Sequence, residues 1–238
     1  EQIAKEFWPG PLTLVLNRKP ESSISKLCSA GGKTLAIRIP KHTSARELIV
    51  NSGVPVAAPS ANSSGKISPT TAQHVFRDFG HDFPVLKDEA CEVGLESTVL
   101  DLSGAVPIIL RPGSITAEMI ESATGCIIDP ETNIHTPPLG DLKSPGLLTS
   151  HYAPNQPVLI NCNAPEPDEF FIDCGASDFE YHFNLSKSGD LIEAAANLFS
   201  ALHEANNSSF NRISFAPIPA TGIGIAINDR LKRAAADR

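Results

Sequence analysis

Residues 55–75 read PVAAPSANSSGKISPTTAQHV, and this stretch decides the fold. Val54–Ala58 is a run of small apolar residues, which predicts a short buried strand. It empties into Pro59-Ser60-Ala61-Asn62-Ser63-Ser64-Gly65-Lys66. From Pro69 to Phe79 the pattern is helical, with Thr70 and Thr71 at its start. Strand, loop and helix in that order are the repeating unit of an α/β protein. The loop offers hydroxyls, an amide and approachable backbone N–H groups, and the helix adds its positive end. Such a set suits a phosphate or an adenylate. It is not a Walker loop, because G-x-x-x-x-G-K-[ST] is absent. A plain surface turn has the same composition, so the loop alone leaves both readings open.

Outward from this stretch the elements continue. Ala4–Phe7 ends a helix at Trp8-Pro9-Gly10-Pro11, since two prolines around a glycine cannot extend it. Leu12–Leu16 and Thr34–Ile39 read as strands. Thr43–Val50 reads as a helix with Ser44 or Thr43 near its cap and Gly53 as its stop. Val85–Leu86, Ser97–Leu102, Val106–Leu110 and Cys126–Ile128 are further candidate strands, with a helix over Ala117–Ala123. Six prolines then fall between residues 130 and 157, a density that gives an extended linker. Beyond it, strands at Val158–Ile160, Phe170–Ile172 and Arg212–Phe215 alternate with helices at Ala194–Ala205 and Ile225–Ala235. That alternation implies a small parallel α/β unit. The domains are therefore 1–129, a linker over 130–157, and 158–238.

The chain has 238 residues, 41% of them hydrophobic, which suits a folded protein rather than a disordered one. There is no run of 18 apolar residues, so no membrane-spanning helix is expected, and no secretory signal is visible at the start. The opening residues read like the end of a helix already under way, and we expect a piece of a longer protein. Net charge is −8, without the basic excess that phosphate-backbone binding needs, so tight nucleic-acid binding is not expected. Cys28, Cys91, Cys126, Cys162 and Cys174 are an odd, scattered set without C-x-x-C. This pattern fits reduced thiols in the cytoplasm and argues against disulfides or structural zinc.

Several residues point to anion chemistry. Arg38 interrupts an apolar strand, where a guanidinium needs an anionic partner, structural or bound. Arg111-Pro112-Gly113 closes a strand, aiming its fork beyond the sheet edge or into a surface salt bridge. Tyr152 sits in the proline-rich linker, either as a lid over a ligand or as a staple of linker to domain. Gly222-Ile223-Gly224 imitates a dinucleotide fingerprint, but Ile227 stands at its sixth position and prolines precede it; a tight turn is expected there.

Together FWPGPLTLVL, KTLAIRIP, the 55–75 stretch, GLESTVLDL, IILRPGSIT and SPGLLTSHYAP resemble the threonylcarbamoyl-AMP synthases of the YrdC/YciO type. The order and spacing agree from Phe7 to Pro154, and the ending GIGIAINDRLKRAA is similar to the longer two-domain members. The resemblance implies a YrdC-like twisted mixed sheet with helices, plus a small Rossmann-like parallel α/β C-terminal domain. It implies synthesis of threonylcarbamoyl-AMP and pyrophosphate from L-threonine, bicarbonate and ATP with Mg²⁺. The product would pass to the tRNA threonylcarbamoyl transferase machinery for the modification called t6A. Arg38, Ala58 and Ser97 would bind threonine. Thr34, Ser60, Asn62, Ser68 and Arg111 would contact ATP, and Tyr152 would close over the nucleotide. The family also carries a P-T-E-T-x-Y-G-L-type and a K-x-R-P-type segment before FWPGPLT, and neither is in this sequence. We therefore expect an N-terminally truncated synthase with an uncovered sheet edge. The alternatives are a non-catalytic nucleotide- or double-stranded-RNA-binding module of the same fold, or a carbamoyl transferase.

Overall fold

The computed structural model describes residues 1–29, 31–86, 91–129 and 150–237. The chain divides into two compact units, Glu1–Pro59 with Glu96–Leu147, and Ser60–Leu95 with Leu148–Arg238. This differs from the division at 129 and 158 read from the sequence, because the second unit takes residues 60–95 into its own core. Ile67, Leu95 and Tyr152 are buried there among the C-terminal apolar residues.

In the first unit, helix α1 (Gln2–Phe7) stops at Trp8-Pro9, whose peptide bond is cis. A four-stranded sheet follows, built from β1 (Leu12–Asn17), β2 (Thr34–Ile37), β3 (Thr98–Asp101) and β4 (Ile108–Arg111). Its order is β2-β1-β3-β4. β1 runs antiparallel to β2 and parallel to β3, and β3 runs antiparallel to β4. The mixed sheet is therefore as expected. Leu12, Leu14, Leu100 and Ile109 pack against Ile115 and Ile120, the latter on α4 (Ala117–Thr124). Thr116 caps α4 through Met119 N–H, and Gly125 ends it in the left-handed region at φ 68°, which glycine adopts at little cost.

Several local expectations are corrected. Residues 54–58 form no strand: Pro55 removes a ladder donor inside the five-residue run, Pro59 follows it directly, and the run's residues are exposed. Val85–Leu86 and Cys126–Ile128 are also not strands. In the latter, Ile128 N–H donates to Glu121 Oε1 instead of to a neighbouring strand. Helix α2 (Thr43–Ser52) has His42 at its N-cap, with no side-chain bond, so Thr43 and Ser44 lie next to the cap. Finally, β2 ends at Ile37, so Arg38 lies just past the strand and is exposed.

In the second unit, α3 (Ala72–Phe79) is capped by Thr71. The all-parallel sheet has the order β5-β8-β6-β7, from β5 (Val158–Leu159), β6 (Glu169–Asp173), β7 (Phe183–Asn184) and β8 (Arg212–Phe215). The two-residue β7 has no apolar run to announce it. Helix α5 (Leu191–Asn206) buries Ala194, Ala195, Leu198, Phe199, Ala201, Leu202 and Ala205, a three-and-four spacing that makes one apolar stripe. Asp190 caps it by accepting from Ile192 and Glu193 N–H. Gly222 turns at φ 53° ahead of α6 (Gly224–Ala234), the tight turn the sequence implies. No helix among the described residues is long and apolar enough to cross a membrane.

Candidate active site

The first unit holds five of the nine predicted site residues. Ser97 and Arg111 come together. Arg111 is buried, and its Nη2 donates to Ser97 O at 2.9 Å and to Ser97 Oγ at 3.2 Å, with Nε on the same carbonyl at 3.2 Å. This is a fixed guanidinium fork, which a lysine could not reproduce. Ser97 Oγ also lies 2.7 Å from Thr13 Oγ1 on β1, a contact no sequence signal marked.

The neighbouring Thr98 clamps the chain after β4. Its Oγ1 donates to Ile115 O at 2.7 Å and accepts from Ile115 N–H at 3.1 Å. Gly113 lies flush against Thr98 in that clamp. The GLEST and RPGSIT motifs are thus two sides of one lock that holds Arg111. Arg38 donates from Nε to Gly10 O at 3.0 Å, tying the end of β2 to the WPGP turn. Thr34 opens β2 opposite Asn17, and Ala58 is exposed in the extended segment before Pro59.

The second unit holds Ser60, Asn62, Ser68 and Tyr152. Asn62 uses its Nδ2 inside the loop, donating to Ser63 O at 2.9 Å and Lys66 O at 3.2 Å. Ser63 N–H donates to Asp78 Oδ2 at 2.9 Å, and Ala153 N–H to Gly65 O at 3.0 Å. Gly65 sits at φ 79°, where a side chain would be strained. The loop therefore has a built shape rather than that of a free surface turn. Ser68 is buried, and its carbonyl oxygen accepts from His203 Nε2 at 3.1 Å.

Tyr152 is 1% exposed at φ 62°. Its ring packs on Phe199, and the Arg230 guanidinium lies 5.6 Å from its centroid. In this structure it staples residues 150–157 to the C-terminal core. Arg230 and Arg233 both pair with Asp229, at 2.7 and 3.0 Å, in a nearly dry cluster on α6. The Ser144-Pro145-Gly146 motif lies outside the described residues. All five cysteines are free thiols. Sequence reasoning missed Asp78, His74 and His203, which shape this loop from a distance.

Two family profiles cover nearly all of the chain. One, described as telomere recombination and grouping the Sua5, YciO and YrdC proteins, matches residues 1–113. The other, described as the threonylcarbamoyl-AMP synthase C-terminal domain, matches residues 115–236. The chain belongs to the threonylcarbamoyl-AMP synthase family. It is 37% identical over 256 residues to the threonylcarbamoyl-AMP synthase of Bacillus subtilis, covering 99% of this chain and 72% of that protein. A threonylcarbamoyl-AMP synthase of Pyrococcus abyssi is 37% identical over 263 residues, covering 100% of this chain and 74% of that one. The crystal structure of P. abyssi Sua5 complexed with L-threonine superposes with a TM-score of 0.84 at 33% identity. That match spans 98% of this chain and 72% of the other. The synthase fold, with its mixed sheet and separate parallel sheet, agrees with the architecture described above.

Proposed function

We propose that this family member makes L-threonylcarbamoyl-AMP and pyrophosphate from L-threonine, bicarbonate and ATP. The observation that carries the reading is the match of nearly the whole chain to a synthase at 37% identity. Likeness to a homologue complexed with L-threonine supports the amino acid as a substrate.

In this reading Arg38 binds the threonine carboxylate, its guanidinium braced on Gly10 O. Ala58 and Ser97 line the amino-acid pocket. Thr34, Ser60, Asn62, Ser68 and Arg111 contact ATP, and Tyr152 leaves its staple to close over the nucleotide. The threonine amine condenses with bicarbonate, losing water to give a carbamate. A carbamate oxygen then attacks the α-phosphorus, the bond to the bridging oxygen breaks, and pyrophosphate leaves with the electron pair. No covalent enzyme intermediate is needed, so catalysis is in-line positioning and stabilisation of developing charge. Arg111 suits the second task because it is desolvated and aimed in advance by Ser97.

Mg²⁺ brought in with ATP would supply neutralisation of triphosphate charge. The product then serves tRNA threonylcarbamoylation in the cytoplasm. Pyrophosphate release from Mg-ATP tests the reading: it should require both threonine and bicarbonate. Release that ignores threonine overturns it.

A further inference from the structure

The loop that ends at Ser68 is fastened to α5 by side chains that the proposed chemistry does not use. His203, on α5, donates from Nε2 to the Ser68 carbonyl oxygen at 3.1 Å. Its ring stacks on His74 of α3, with centroids 3.7 Å apart and planes 21° from parallel. His74 in turn accepts at Nδ1 from Thr70 N–H at 3.2 Å. One turn before His203 on the same helix, Ser200 Oγ lies 3.5 Å from Thr70 Oγ1. Residues 68–70 are thus held by two stacked rings and a hydroxyl.

Hydrogen-bond chemistry constrains both rings. A carbonyl only accepts, so His203 must carry a proton on Nε2. A backbone N–H only donates, so Nδ1 of His74 must present a lone pair, leaving the proton on its Nε2. His74 is therefore neutral in this arrangement, whereas the His203 bond requires only that Nε2 carry a proton. Protonating His74 at Nδ1 would point an N–H at the Thr70 N–H and place a charge against its stacked neighbour.

We propose that His203 is a positioning residue of the synthase, fixing the Ser68 carbonyl, and that neutral His74 holds His203 in place. Helix α5 of the C-terminal unit is thereby part of the nucleotide site. The inference rests on Ser68 contacting ATP, as proposed above.

The charged surroundings agree. Burial, then His203, then Arg77 push His74 from its usual 6.5 down to about 4. Burial also lowers His203, against the raising effect of its bond to Ser68. Arg77 and Asp78 from α3 and Lys66 from the loop face the pair across a cavity of about 260 Å³. For a group depressed on folding, the intact arrangement is fully present above the unfolded value near 6.5. It is lost as pH falls toward 4.

The test is steady-state pyrophosphate release by the intact protein, with the KM for ATP, the KM for threonine and kcat read separately. His203→Phe keeps a stacking ring but removes the donor, whereas His203→Gln keeps an amide N–H near Nε2. His203→Phe should raise the KM for ATP about fivefold to tenfold, the effect of one net hydrogen bond, with kcat and the threonine KM little changed. His203→Gln should restore most of it. His74→Asn keeps an acceptor near Nδ1 without titrating there, so it should abolish the rise in ATP KM expected of the wild type as pH falls toward 4. This pH comparison does not need the His203→Phe protein to fold.

Ser68→Ala separates the two ideas. If it raises the ATP KM and His203→Phe does not, the positioning role is overturned and the site reading stands. If neither moves it, both are overturned. A fall in kcat with unchanged KM values would mark His203 as merely structural and overturn the proposal. An acid limb that persists in His74→Asn would do the same.

Discussion

Replacing Gly113 with alanine should dismantle the anchoring of Arg111, and the structure gives the size of the effect. A Cβ on Gly113 would stand 2.5 Å from Thr98 N, 2.7 Å from Thr98 Oγ1 and 2.8 Å from Glu96 O. None of these atoms is the end of a flexible side chain. Thr98 N–H is committed to Pro11 O at 3.0 Å, and Thr98 Oγ1 is committed twice to Ile115. The turn must therefore lift by roughly 1 Å before the new contacts become ordinary. Arg111 lies two residues back, so its fork on Ser97 lifts too. Overpacking against immobile backbone sits near the upper end of its usual range, about 3 kcal/mol. For a protein of this size that lowers Tm by roughly 6–12 °C. Gly104→Ala is the control. It has no positive φ, and the nearest heavy atom to its Cβ would be Val106 O at 3.8 Å. It should gain about 0.4–1 kcal/mol from reduced freedom of the unfolded chain. Thermal unfolding and threonine titration calorimetry on both variants read the result. A Gly113→Ala protein that melts within about 1 °C of wild type and binds threonine normally would refute the lock.

Three further outcomes are expected. Arg111→Lys replaces a two-pronged guanidinium with a point charge, and pyrophosphate release should fall about 100-fold, near 2.7 kcal/mol of transition-state stabilisation; a fall under threefold would exclude Arg111 from the chemistry. Asp229→Asn leaves the Arg230 and Arg233 guanidinium groups buried without their carboxylate, at a cost of about 3–5 kcal/mol read from denaturant unfolding. Because Arg233 O accepts His151 N–H and Arg230 lies over Tyr152, the same substitution should increase proteolytic cutting near residue 151. Asp190→Ala removes the cap of α5 and should cost about 1 kcal/mol, measured as a lower Tm with unchanged threonine affinity.

The two central strands of the first sheet were legible because they are its most buried ones. LTLVL and STVLDL are short runs rich in apolar residues; β3 buries all four of its residues, and β1 buries three of six with two more partly covered. The same rule failed at VPVAA, where Pro55 inside the run and Pro59 directly after it deny a ladder its donors and the residues stay exposed. Arg38 shows the complementary error. Its place after TLAI suggested a buried charge in need of an anion, but the strand ends one residue earlier. Its Nε bond goes to a carbonyl 28 positions away. A local window carries the period of an element but not where its ladder stops.

The loop at 58–68 marks the deeper limit. Its composition announced close backbone approach and polar contacts. What gives it one shape is spread along the chain: Asp78 takes Ser63 N–H, and His203 takes the Ser68 carbonyl from 135 positions away. Gly94 reaches the same helix because a Cβ there would come 2.5 Å from Ala196 Cα, so only glycine lets residues 94–95 lie against α5. The groups that meet a ligand belong to short motifs, and short motifs can be read directly. The groups that hold those motifs still are ordinary histidines, aspartates and glycines, which acquire meaning only when the fold brings them together. A site can therefore be named from sequence before its supports can, and the supports are where variation in the C-terminal unit should tune ATP affinity without touching the reacting atoms.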